Sequence, residues 1–97
     1  MAEVMPPSPP KPAAVLERLI AAGNRPDLAR LYADAYCEYH EAQANIAVNG
    51  AICANPRTGA PMTNPYLEIR DRARQQLLRM ANVKTPGLWP SHQEPTV

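Results

Sequence analysis

Leu28, Tyr32, Ala35, Tyr39, Ala42 and Ile46 recur at intervals of 4, 3, 4, 3 and 4 residues, and this alternation constrains the chain more than any other feature. Such intervals place side chains on one stripe of a helix. Sustained over almost three heptads, they form a contact seam with polar and acidic residues around much of the remaining face. Tyr alternating with Ala supplies knobs and points of close approach, and Tyr36 widens the face just off the stripe. Pro26 suits a first helical turn and Asn49-Gly50 a stop. The pattern predicts a helix over residues 27–49, with the seam serving as packing surface and not as a cofactor box.

A second periodic segment follows. Tyr66, Ile69, Ala73, Leu77 and Met80 are spaced by 3, 4, 4 and 3, and Leu78 and Ala81 extend the stripe. Asn64-Pro65 is a helix start with a mechanism, because the Asn side chain can accept a bond from an orphan amide and Pro has no N–H to lose. The helix is expected to end near Asn82, ahead of Thr85-Pro86-Gly87. Residues 51–63 are poor in helix formers. Residues 51–54 and 60–62 read as short strands around an Asn55–Gly59 turn, and Pro56 and Pro61 restrict them to a small edge hairpin or an open loop. Upstream, Val15, Leu16, Leu19 and Ile20 mark one face of a short helix over residues 13–22, stopped by Gly23.

The fold class that results is mainly α: a long antiparallel helical hairpin with a β-hairpin or loop insert and a small N-terminal helix. Five of the 12 prolines fall between Pro6 and Pro12, and Pro86, Pro90 and Pro95 punctuate the other end. Residues 1–12 and 87–97 therefore read as flexible arms around a helical-hairpin domain at 13–86. A domain of about 70 residues draws only a few kcal/mol from its own core. Two cysteines, Cys37 and Cys53, make no disulfide framework, and no run approaches the ~20 apolar residues of a membrane span. Self-association is the expected support, in a reduced, cytoplasmic setting without a membrane partner.

Net charge is +1 but unevenly placed. Residues 25–49 hold two basic and four acidic side chains, whereas 64–84 hold five basic and two acidic. Opposite-sign helices of this kind pair within a hairpin or between copies, or else the basic one meets nucleic acid. Arg57, Arg70, Arg72, Arg74, Arg79 and Lys84 are the candidate phosphate contacts. The candidate oligomer interface or core comprises Leu28, Tyr32, Ala35, Tyr36, Tyr39, Ala42, Ile46, Tyr66, Ile69, Ala73, Leu77 and Met80. Catalytic chemistry finds no support: the four glycines form no phosphate-cradling loop, and Ser8 and Ser91 lie in the arms. Glu38 and Glu41 sit on an outer helix face, where carboxylates ordinarily do no chemistry. Cys37 and His40, three residues apart, lack a second pair to complete a metal site. No cofactor, metal or catalytic residue is expected.

The order of these features resembles the small terminase subunits of tailed double-stranded DNA phages and related gene-transfer elements. The carriers run from Pro26 to Pro86: Asp27-Leu28, the helix with Tyr36 and Tyr39 and its terminal Gly50, the Gly59-bearing hairpin, Asn64-Pro65 opening a helix with Ile69 and Leu77, and the closing Thr85-Pro86. The chain departs from that pattern around Thr85-Pro86, where Val83-Lys84 precede and Gly87-Leu88 follow, and no helix-turn-helix module stands ahead of the hairpin. The resemblance implies a ring of about eight to ten identical subunits, closed by head-to-tail contacts. Such a ring recognises viral double-stranded DNA in the host cytoplasm and regulates the large terminase, which carries the ATPase and nuclease. The alternative is a non-catalytic helical adaptor or antitoxin-like module that docks on another protein. Leu88 and Trp89 are the candidate partner-docking residues: Trp89, the one tryptophan, either folds back on the hairpin near Met80 or anchors the large subunit.

Overall fold

The computed structural model describes residues 10–89, so the N-terminal arm to residue 9 and the tail from Pro90 lie outside the described residues. The elements in order are α1 (Pro12–Ala21), α2 (Pro26–Asn49), β1 (Ile52–Ala54), β2 (Pro61–Thr63) and α3 (Tyr66–Arg79). The mainly helical class and the small antiparallel β-hairpin agree with the sequence reading. α3 stops at Arg79 and gives way to turns through Asn82, close to the expected end.

Pro12 and Pro26 each occupy the first turn of their helix, where no N–H is needed, and neither helix has a side-chain cap. α1 ends at Gly23, whose φ of 97° is open to glycine at little cost. The Gly23 N–H donates to the Ile20 carbonyl and the Asn24 N–H to that of Leu19, the paired bonds that close a helix through a left-handed residue. α2, at 24 residues, is about 36 Å long, and both other helices lie against it.

Asn64 fastens α3 to the end of α2. It is 2% exposed, yet three of its four side-chain hydrogen-bonding positions are used. Nδ2 donates to Asn45 Oδ1 at 3.0 Å and to the Gly50 carbonyl at 2.9 Å, while Oδ1 accepts the Tyr66 N–H at 3.0 Å. One residue thus caps α3 and ties its start to the last turn of α2, which makes the pair antiparallel. The strands between them pair Ile52 with Thr63, Cys53 with Met62 and Ala54 with Pro61. Asn55 organises their connection by accepting the Arg57 and Thr58 N–H groups on its side chain, a local turn that mimics backbone bonding.

The core gathers at the opposite end. Val15 and Leu19 from α1, the first half of α2, and Leu77 from α3 meet there with Met80, just past its end, and with Val83 and Leu88. Of the expected seam, Tyr32, Ala35, Tyr36, Ala42, Ala73, Leu77 and Met80 are buried, whereas Leu28, Tyr39, Ile46, Tyr66 and Ile69 are only partly so. A second stripe, Ala29, Ala33 and Cys37, is also buried. A helix buried around more than half its circumference needs partners on two sides, and α2 has them in α3, α1 and the segment after α3. That segment does not leave the fold at Pro86, where the sequence reading placed the domain boundary: Leu88 is in the core and Trp89 packs against it.

Candidate functional site

The candidate phosphate contacts do not make one patch. At 100° per residue, Arg72 and Arg79 lie on nearly one line of α3, about 10 Å apart along the axis, and Arg70 and Arg74 share the opposite flank. Arg70 is half-buried and bonded to Asp71, with Nε and Nη2 each 3.1 Å from Oδ1, so its charge is met locally. Arg72, Arg74 and Arg79 are exposed and carry no ion pair among the described residues. Arg57 is exposed in the strand connection, beyond the start of α3, and Lys84 lies past its end; α3 alone separates them by about 21 Å.

The acidic side chains of α2 do not neutralise this surface. Asp34, Glu38 and Glu41 are exposed, and the ion pairs among the described residues are Arg25–Asp27 and Arg70–Asp71, both between near neighbours. Pairing of opposite-sign helices within the hairpin is therefore not formed. Exposed pairs like the two present contribute about 0–1 kcal/mol each. What remains on α3 is a set of unmatched cations available to an anionic partner.

The other assigned residues, Leu88 and Trp89, are held against α1 and α2. Asn24, in the α1–α2 turn, donates to the Lys84 carbonyl at 2.7 Å and accepts the Lys84 N–H at 2.9 Å. Arg18 donates to the Gly87 carbonyl at 3.2 Å, and the Tyr36 hydroxyl to that of Leu88 at 2.8 Å. The Trp89 indole N–H then reaches the Tyr32 hydroxyl at 2.8 Å. Its ring stands edge-on to Tyr36 at 4.6 Å and to Tyr39 at 5.8 Å, with His40 at 5.2 Å. Most of these bonds grip backbone groups, so the segment is held much as a docked peptide is. Trp89 does fold back, but on the aromatic row of α2; it is Leu88 that joins the cluster containing Met80.

Burial shapes the titration of this cluster. His40 is held below its ordinary value of 6.5 by desolvation, and its Nε2 is buried without a partner among the described residues. Tyr36 is pushed up, mainly by burial. Cys37 is raised to about 11 by burial and by the nearby Asp34 and Glu41 carboxylates. All three groups are thereby kept neutral near pH 7, the electrostatics of a packed joint and not of an acid–base site. No group of three His, Cys, Asp or Glu side chains positioned to hold a metal occurs among the described residues, and none of their helices is long and apolar enough to cross a membrane.

Asn24 and Arg18 were not singled out from sequence. Their partners lie 60 and 69 residues away, and no local pattern announces a bond of that span. Asn24 does follow Gly23 immediately, where an Asn is common for its turn conformation alone. Val83 joins the core from a turn and escapes a helical-periodicity search for the same reason.

A family model described as phage terminase, small subunit matches residues 17–92, more than three quarters of the chain, from within α1 past the packed Trp89. Searches of curated proteins and of solved structures each returned no match.

Proposed function

The chain belongs to the phage terminase small-subunit family, and from that premise we propose that it acts without catalysis as the regulatory subunit of viral DNA packaging. In this reading identical copies close into a ring of about eight to ten subunits through head-to-tail contacts. The ring binds double-stranded DNA in the host cytoplasm and recruits or stimulates the large terminase, which supplies ATP hydrolysis and cleavage. The family match carries the reading, and the unmatched charges of α3 support its DNA arm. Arg72, Arg74 and Arg79, with Arg57 and Lys84 at the two ends, present cations to phosphate, and Arg70 contributes less because Asp71 already holds it. Contacts of this type give affinity without reading sequence.

The test is the salt dependence of binding to a DNA duplex. Each phosphate contact adds about 0.9 to the slope of log K against log salt. Replacing Arg72 and Arg79 together by Ala should therefore flatten the slope by about 1.8 if both touch phosphate. Unchanged affinity and slope would move these arginines to protein contacts. The assembly arm is separate: light scattering of the purified chain should give a closed particle, and a stable monomer at micromolar concentration would remove it.

A further inference from the structure

The β-hairpin has two outer edges, and only one is chemically open. Asn64 N–H donates to Ala51 O and Asn55 N–H to Ala60 O, each at 2.8 Å. In the observed register these bracket the ladder, so the bonded pairs alternate as Ala51–Asn64, Cys53–Met62 and Asn55–Ala60. Ile52 and Ala54 on β1, and Pro61 and Thr63 on β2, consequently turn their peptide groups outward. On β2 the outer row lacks a donor because Pro61 has no N–H, a common block to strand addition. On β1 the N–H and C=O of Ile52 and Ala54 are all present, and among the described residues no group outside the hairpin bonds to them. Ile52 is also 62% exposed, and Val48, just ahead of it at the end of α2, is 77% exposed. Two of the four large apolar side chains that the described residues leave in solvent thus lie within five positions of each other in the sequence, where the chain enters the open edge.

We infer that β1 is a docking edge for a second copy of this chain, pairing β1 on β1, antiparallel, about a two-fold axis at Cys53. The edge is complementary to itself. The outward N–H and C=O of Ile52 meet the C=O and N–H of Ala54 in the other copy, and the reverse, so no outward group stays unpaired. Large Ile52 stands opposite small Ala54 on one face. Cys53 meets its own counterpart at a non-bonded position, where Cα atoms approach to about 4.5 Å, inside the range a disulfide spans. Two ribbons that are marginal alone become one sheet of adequate width. The chain's own ends are poor occupants, since prolines crowd residues 6–12 and recur at 90 and 95, each lacking a donor. Being two-fold, the contact adds to any head-to-tail contact of a ring, and it does not depend on DNA binding.

The experiment uses the full chain with three variants. Ala54→Pro deletes an outward N–H without touching a ladder bond, blunting β1 as Pro61 blunts β2. Ile52→Lys changes an exposed side chain that the monomer does not use and guards against misfolding of the proline variant. Sedimentation should show the two-fold contact weakened at least tenfold in both, with circular dichroism unchanged. Copper–phenanthroline oxidation should link wild-type copies through Cys53, a product absent from Cys53→Ser and reduced in the other two variants. Self-association unchanged in either edge variant, or Cys53 linkage undiminished by both, overturns the inference.

Discussion

Trp89→Ala tests the packing of the segment after α3 most directly. The indole donates one hydrogen bond, to Tyr32, and its ring makes edge-on contacts with Tyr36 and Tyr39. Aromatic pairs of this geometry contribute about 0.5–1.5 kcal/mol each beyond burial, and the hydrogen bond about 1 kcal/mol. Truncation should therefore cost about 3 kcal/mol, with Trp89→Phe costing about 1 kcal/mol because it keeps the ring and loses the donor. For a domain of this size each kcal/mol moves Tm by about 4–8 °C, so Trp89→Ala should melt more than about 12 °C lower. Thermal unfolding followed by circular dichroism reads this without needing the lost fluorophore. A fall below about 4 °C, less than 1 kcal/mol, would refute the packing argument. The same figure bears on docking. If the large terminase captures Trp89, it must first release it from α2, and about 3 kcal/mol of undocking lowers apparent affinity by about 150-fold. On the capping reading Trp89→Ala lowers stability and leaves large-subunit stimulation intact; on the docking reading stimulation falls as well.

Three further outcomes follow from the same structure. Asn64→Ala removes the α3 cap and the bonds to Asn45 and Gly50 together, and chemical denaturation should show a loss of about 2–3 kcal/mol; Asn64→Asp keeps the acceptor for the Tyr66 N–H but sets a buried carboxylate oxygen against the Asn45 and Gly50 oxygens, and should lose at least as much. Because burial holds His40 below 6.5, the unfolded chain takes up a proton first on acidification. Stability should be level above about pH 6.5 and fall as pH drops from there through the folded-state value, and a pH–Tm profile of His40→Leu should be flatter in that window; an identical slope places the titration elsewhere. Cys37 at about 11 is thiolate in only about one molecule in ten thousand at pH 7, so native-state labelling should modify Cys53 first and reach Cys37 only on unfolding, and equal rates at the two thiols would contradict the burial.

Periodicity made the helices legible, and capping chemistry made their ends so. The stripe from Leu28 to Ile46 is a property of residues three and four apart, which share a helix face whatever lies beyond. Asn64-Pro65 was readable for the same local reason. The second stripe of α2 was not, because Ala29, Ala33 and Cys37 are small and carry little weight in a search for large apolar residues. The placement of Trp89 depended on Asn24, Arg18 and Tyr36 meeting the chain more than 50 residues later, and proline content around it favoured an arm. The basic residues were visible as charges, and their spacing along a helix already divides them between two flanks; the Arg70–Asp71 pair, which removes one of them, needed the structure.

The covering of α2 also alters what an oligomer of this chain must rest on. A bare helical hairpin leaves one side of each helix uncovered, and association would then be forced by the hydrophobic effect alone. Here α1 and the segment ending at Trp89 cover that side within one chain, and the large apolar side chains that the described residues leave exposed are Ile20, Leu31, Val48 and Ile52, few enough to be tolerated on a monomer. Contacts between copies then draw largely on polar complementarity: the open β1 edge, and the Asp34, Glu38 and Glu41 carboxylates of α2 and the Arg72, Arg74 and Arg79 guanidiniums of α3, none of which is ion-paired among the described residues. Edge bonding is insensitive to salt, whereas contacts between exposed charges weaken as ionic strength rises. An assembly that persists from low to high salt is therefore held by strand edges or buried apolar area, and one that dissociates is held by the facing charges of α2 and α3. Reversing Asp34 and Glu41 to Lys should break the second kind and spare the first, and restoration by Arg72→Glu with Arg79→Glu would assign those arginines to the subunit contact instead of DNA.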